Sequence, residues 1–208
     1  MVDPKEIPDA WPPPDEGAVV PMFPLQGLFL FPRQLLPLHI FEPRYKKMIE
    51  DSLDGPGRLV IGTVLEGEQE SPGNVPSVLP VAGIGEIARH DKLEDGRFMV
   101  LIFGLGRVHL DEISSDEPYR LVKATRLEEA EAAGATEERL LEALKAAVAE
   151  RSSSEDETFP DLPLAVATDL LAVRLKVPQL VMQEIFAEAD VARRAELALA
   201  AHAKYPGS

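Results

Sequence analysis

The run Leu35-Leu36-Pro37-Leu38-His39-Ile40-Phe41-Glu42-Pro43-Arg44-Tyr45 changes its hydrophobic period halfway along, and that change decides the fold class. Its first six residues form a short apolar strand carrying a proline, which restricts it to a sheet edge or a strand end. From Glu42 to Leu53 the period switches: Tyr45, Met48, Ile49 and Leu53 are spaced by three and four, as one helical face requires. Pro43 suits a first helical turn and Glu42 the positive end of the helix dipole. Gly55-Pro56-Gly57 ends the helix.

Upstream, Val19-Val20-Pro21-Met22-Phe23-Pro24 has the same proline-bounded strand character, and residues 1–17 form a flexible proline-rich lead-in that holds the lone Trp11. Downstream, short strands are expected at Arg58 to Leu65, Gly83 to Asp91, Arg97 to Phe103, Arg107 to Ile113 and Tyr119 to Leu127, a pattern of sandwich or small barrel. Asp95-Gly96 marks a tight hairpin turn, and Gly104-Leu105-Gly106 marks a second. Beyond Glu128 the pattern becomes helical. Leu140, Leu144, Ala147 and Val148 share a face of Thr136 to Glu150, and the run Ser152 to Glu157 breaks it. Further helices are expected at Pro163 to Leu175, Pro178 to Ala187 and Val191 to Ala203, with Asp190 as an N-cap. The expectation is an α+β protein with a β-rich lobe over residues 18–128 and a helical lobe over 129–208.

At 208 residues the chain has room for one domain or two small ones. It has no cysteine, so disulfides, thiolate metal sites and a cysteine nucleophile are excluded, and a cytoplasmic location fits best. The net charge of -15 is spread over both halves of the chain. Nucleic acid and anionic membrane surfaces are therefore disfavoured as partners, leaving only the small basic patch Arg44, Lys46 and Lys47. The acidic, proline-rich start is unlike a signal peptide, and Leu28-Phe29-Leu30-Phe31 is far too short to span a bilayer.

Chemistry is sparse. His39, His90, His109 and His202 lack the close spacings that preassemble a metal site, and no cofactor is expected. No phosphate-cradling P-loop and no nucleophile elbow is present. His39 and Glu42 lie near the strand-to-helix junction and are the one candidate acid/base pair, although each also has a plain structural explanation. The apolar run Leu28 to Phe31 sits where a connecting loop belongs. Either it folds under the barrel as core, or it leaves a partly exposed apolar groove that could hold a polypeptide, with Leu28, Phe29 and Phe31 as the contact residues.

Several runs together resemble one family. Pro21-Met22-Phe23-Pro24-Leu25, Phe31-Pro32 and Leu36 to Tyr45 look like the opening of the Lon protease amino-terminal, substrate-binding domain. The Phe41-Glu42-Pro43-Arg44-Tyr45 form is similar to that of proteins in which this domain stands alone. Val81 to Ile87, Asp95-Gly96-Arg97 and Gly104-Leu105-Gly106-Arg107-Val108 follow in the family's order. Gln183, Asp190 and Arg194 fall on its helical pattern, with Ala187 where an acid is common. The likeness covers about residues 18 to 200 and implies a PUA-like pseudo-barrel followed by a small carboxy-terminal helical bundle.

Full-length Lon proteases, of peptidase family S16, continue into an ATPase and a Ser/Lys peptidase module, and neither motif set is found here. The resemblance thus implies a non-enzymatic role in protein quality control: recognition of unfolded or misfolded polypeptide, with a separate protease as a further candidate partner. Phe41, Glu42, Arg44 and Tyr45 are signature residues that a bend pinned by an ion pair and a packed ring would explain. The rival readings are a small hydrolase using His39 and Glu42, and an RNA-binding protein of PUA-like shape.

Overall fold

The computed structural model describes residues 17–68, 75–152 and 162–206. The lead-in up to Glu16, with Trp11, and all but the first residue of the Ser152 to Glu157 break lie outside them. Among the described residues six strands come first: β1 (Ala18–Gln26), β2 (Leu35–Ile40), β3 (Arg58–Val64), β4 (Val81–Lys92), β5 (Phe98–Ile113) and β6 (Arg120–Arg126), with helix α1 (Pro43–Leu53) between β2 and β3. Four helices follow: α2 (Ala135–Arg151), α3 (Leu164–Arg174), α4 (Gln179–Ala187) and α5 (Val191–Lys204).

The sheet runs β2-β5-β4-β3-β1-β6, and β6 pairs again with β5, so five strands close into a barrel. β1 lies parallel to β3, with Met22 opposite Val60, so a hairpin cannot join them. The crossover between them carries β2 and α1. β2 pairs with β5 alone, and Pro37 therefore stands on a strand with an open side where its missing N–H is tolerated.

In α1 the buried residues are Tyr45, Met48, Ile49 and Ser52. Leu53 is half-buried against the same core, and beside it the buried face is completed by Ser52. Its hydroxyl donates to the Met48 carbonyl oxygen at 2.7 Å, and this lets a polar side chain face the barrel. Tyr45 stacks on Phe23 with ring centres 4.4 Å apart.

The expected second hairpin does not exist. Gly104-Leu105-Gly106 lies inside β5, a single strand of 16 residues. One stretch of β5 pairs with β2 and the later part with β6, while β4 runs along the strand with register shifts at Gly85 and near Ile87. The glycine is needed for close approach instead of a turn: a Cβ on Gly104 would stand 2.1 Å from the Phe31 carbonyl oxygen. The other hairpin is present, with Gly96 at φ 76° and the Asp95 carboxylate accepting from the Arg97 N–H at 3.1 Å.

The helices follow their sequence signals closely. α2 buries Leu140, Leu144, Ala147 and Val148, Pro163 and Pro178 stand one residue ahead of α3 and α4, and the Asp190 side chain caps α5 by accepting from the Arg193 N–H at 2.9 Å. α3 is apolar on most of its surface because it packs against both α2 and α5. The helical core also takes in Phe31, Val81 and Leu127 from the barrel side. No helix among the described residues is long and apolar enough to cross a membrane.

Candidate functional site

The apolar run between β1 and β2 divides between core and surface. Leu30 is fully buried in the barrel interior, and its backbone lies where a Cβ on Gly83 would be, 2.1 Å from the Leu30 oxygen. Phe31 is 2 % exposed and packs edge-on against Phe186 of α4, with ring centres 4.9 Å apart. Leu28 and Phe29 stay half-buried. Phe29 leans on the same Phe186 ring at 5.3 Å, and the Leu28 carbonyl oxygen accepts from the Thr63 hydroxyl at 2.6 Å. The segment is thus core at Leu30 and Phe31 and half-buried at Leu28 and Phe29. Phe31, expected to be a contact residue, is instead core: it anchors the segment to the bundle.

Leu28 and Phe29 form one wall of a cleft of about 560 Å³ between this segment, the end of β3 and the α3–α4 connection. Val173, Val177, Met182 and Phe31 also line it. Gln179 fastens the mouth by donating to the Val64 carbonyl oxygen at 2.7 Å and accepting from the Glu66 N–H at 2.7 Å. Its lining mixes the apolar side chains of Leu28, Phe29, Val173, Val177 and Met182 with amides and one charge of each sign, Glu66 and Lys176, groups that can meet both the side chains and the main chain of an extended segment.

Phe31, Gln34 and Val173 also line a second cleft, of about 590 Å³, on the other side of the segment. Its inner wall is a charged joint between barrel and bundle. Arg107 on β5 and Arg194 on α5, both with fully buried side chains, converge on the Glu129 carboxylate; the Arg194 contact is 3.0 Å. Arg107 Nη1 also donates to the Phe186 carbonyl oxygen at 3.2 Å. Asp169 of α3 faces Arg194 Nε at 3.6 Å, too far for a hydrogen bond, and its Oδ1 has no donor. Burial pushes the Asp169 carboxyl up to about 6, against the pull of the two arginines. For Glu129 burial also acts upward, but Arg107 and Arg194 outweigh it and hold the carboxyl below its usual range.

The signature residues near α1 are elsewhere. The Glu42 carboxylate accepts from Arg44 Nε at 3.1 Å and Nη2 at 2.8 Å, and Tyr45 is the packed ring. Phe41 departs from the structural role expected of it, because it is 61 % exposed. The His39 ring lies 6.0 Å from the Phe41 ring, and the Glu42 carboxylate is engaged by Arg44. Arg107 and Arg194 were visible only as parts of family-like patterns. Glu129 carries no sequence signal, whereas Asp169 had one, a lone acid within the apolar run Leu164 to Val173.

A closed barrel stapled to a helical bundle is an architecture shared with solved structures of one kind. The N-terminal domain of a Mycobacterium avium complex Lon protease superposes with a TM-score of 0.68 at 16 % identity, covering 89 % of this chain and 98 % of that one. A Lon N-terminal domain protein from Xanthomonas campestris superposes at 0.64 and 20 % identity, covering 88 % and 98 %. The sequence model of the ATP-dependent protease La (LON) substrate-binding domain matches residues 19–201, and the chain belongs to that family. Among curated relatives, Lon protease 2 of Sorangium cellulosum is 29 % identical over 91 % of this chain and 25 % of its own length. Lon protease of Anaeromyxobacter dehalogenans is 24 % identical over 89 % and 23 %. The chain thus spans about a quarter of the length of these relatives and matches their substrate-binding domain.

Proposed function

We propose that this chain is a non-catalytic polypeptide-binding module, which holds an extended apolar segment of an unfolded or misfolded client in the cleft beside Leu28 and Phe29. The observation that supports this most directly is the half-exposure of those two side chains on the wall of a cleft of about 560 Å³, within a domain of the Lon substrate-binding family. Apolar burial is non-directional, so binding is broad in sequence and modest in affinity. The acidic balance of -15 keeps nucleic acid away from the same surface. The proposed role needs no catalytic group, and the Glu42 carboxylate of the candidate acid/base pair is engaged by Arg44.

Titration of a labelled, permanently unfolded polypeptide, read by fluorescence anisotropy, tests this. Leu28→Asp should weaken binding about tenfold, since losing one buried apolar side chain costs about 1.5 kcal/mol or more. Unchanged affinity in that variant, or no binding to the parent protein, refutes the proposal. Delivery of the client to a separate protease is the further partnership it allows, and faster degradation of the client by that protease in the presence of this chain is the corresponding measurement.

A further inference from the structure

Resting on the reading above, we propose that the second cleft reads an acidic side chain of the same bound segment, so that preferred clients carry glutamate or aspartate close to their apolar residues. The two clefts share Phe31, Gln34 and Val173 in their linings, and Val173, 45 % exposed, is the surface over which a chain would pass from one to the other.

That second cleft has more basic than acidic residues in its lining. Four arginines line it, Arg33, Arg58, Arg107 and Arg126, against three acids, Glu129, Glu131 and Asp169, in a chain of net charge -15; Arg58 is paired with Glu86, outside the lining, at 3.3 Å. Glu129 is already shared by Arg107 and Arg194, and Asp169 faces Arg194. Arg33 and Arg126 are exposed and pair with no acid among the described residues. Arg107, whose side chain is fully buried in the inner wall, keeps its Nε without an acceptor.

The backbone at Arg33 is a second, independent observation. Phe31 to Gln34 form a tight turn, with the Gln34 N–H donating to the Phe31 carbonyl oxygen at 3.2 Å. Pro32 takes its first central position and Arg33 its second, at φ 63°. That position favours glycine or asparagine, and Arg33 is the one non-glycine residue with positive φ among the described residues. A long cation held in a strained conformation at the rim of a cleft is a feature of recognition sites more than of scaffolds. The half-apolar lining and the small excess of positive charge match one carboxylate beside an apolar anchor, and a polyanion would be repelled by the surrounding molecule.

The test uses the full chain and two labelled peptides with the same extended apolar core, one flanked by glutamates and the other by glutamines. The glutamate peptide should bind about three- to fivefold tighter at low salt, and the preference should shrink as salt rises. Arg126→Gln and Arg33→Gly, the latter relieving the strained turn, should each reduce the preference while leaving the glutamine peptide's affinity unchanged. Equal affinity for the two peptides overturns this inference and leaves the apolar reading intact. A preference that persists in the double variant, or better competition by a short RNA than by the glutamate peptide, also overturns it. Failure of both peptides to bind removes the underlying function as well.

Discussion

At the scale of single residues, the fold depends on positions where a side chain would be an obstruction. Gly104→Ala places a methyl group 2.1 Å from the Phe31 carbonyl oxygen, and either the turn or β5 must move. The expected loss is about 1–3 kcal/mol, as for other overpacked sites. Gly106→Ala, two residues on with nothing within 4 Å, should change stability by less than about 0.5 kcal/mol. Urea denaturation of the two variants decides the matter, and equal effects would mean that strand propensity, not the Phe31 contact, is what Gly104 serves. The sequence could not reveal this role, because a Gly-x-Gly triplet looks the same in a tight turn and under a crossing backbone. Asp169 supplies the residue-scale pH effect. Burial raises its folded carboxyl to about 6 from an ordinary value of 3.8, so between roughly pH 4 and 6 the native state holds a proton that the unfolded chain has released. Stability from this group is therefore present below that window and lost as pH rises through it. Asp169→Asn should gain on the parent protein across the window by up to about 1.4 kcal/mol per pH unit, and parallel stability-against-pH curves would exclude the effect.

At the scale of elements, periodicity and capping were legible wherever an element buries one face against a neighbour. α1, α2 and α5 are of this kind, and their apolar spacing and terminal residues predict them within a residue or two. β5 was not legible as one strand: its first part packs in one core cluster and Val108 in another, with Arg107 at the joint to the bundle, so no single alternation runs its length. The β1–β2 connection was ambiguous for a related reason, since Leu30 enters one core and Phe31 another. Where the local signal is strong, the element should also depend on it measurably. Asp190→Ala removes the acceptor for the Arg193 N–H and should cost about 1 kcal/mol. An unchanged denaturation midpoint would show that the backbone bonds tying Ala130 to Ala189 and Val191 hold the start of α5 without the cap.

At the scale of the whole molecule, composition along the chain suggests two lobes, because strands precede residue 128 and helices follow it, apart from α1. Packing joins them. Phe29 and Phe31 meet the Phe186 ring, Arg107 bonds the Phe186 carbonyl oxygen, and Arg194 reaches the Glu129 carboxylate that Arg107 also holds. One apolar cluster contains both Phe31, Val81 and Leu127 and the buried faces of α2 to α5. None of this could be read from periodicity, which reports what one element buries and not where its neighbour comes from. If the seam is structural as well as functional, truncating the ring at its centre must weaken both sides together. Phe186→Ala, a change of about 3–5 kcal/mol for a buried aromatic, should lower amide protection in β4 and β5 by about as much as in α3 and α5, and should loosen the cleft wall at Phe29 so that the unfolded polypeptide binds more weakly. Hydrogen exchange resolved by element reads this directly. Loss of protection confined to the helices, with the strands unchanged, would mean that the lobes unfold independently and that the cleft between them is a surface both happen to border.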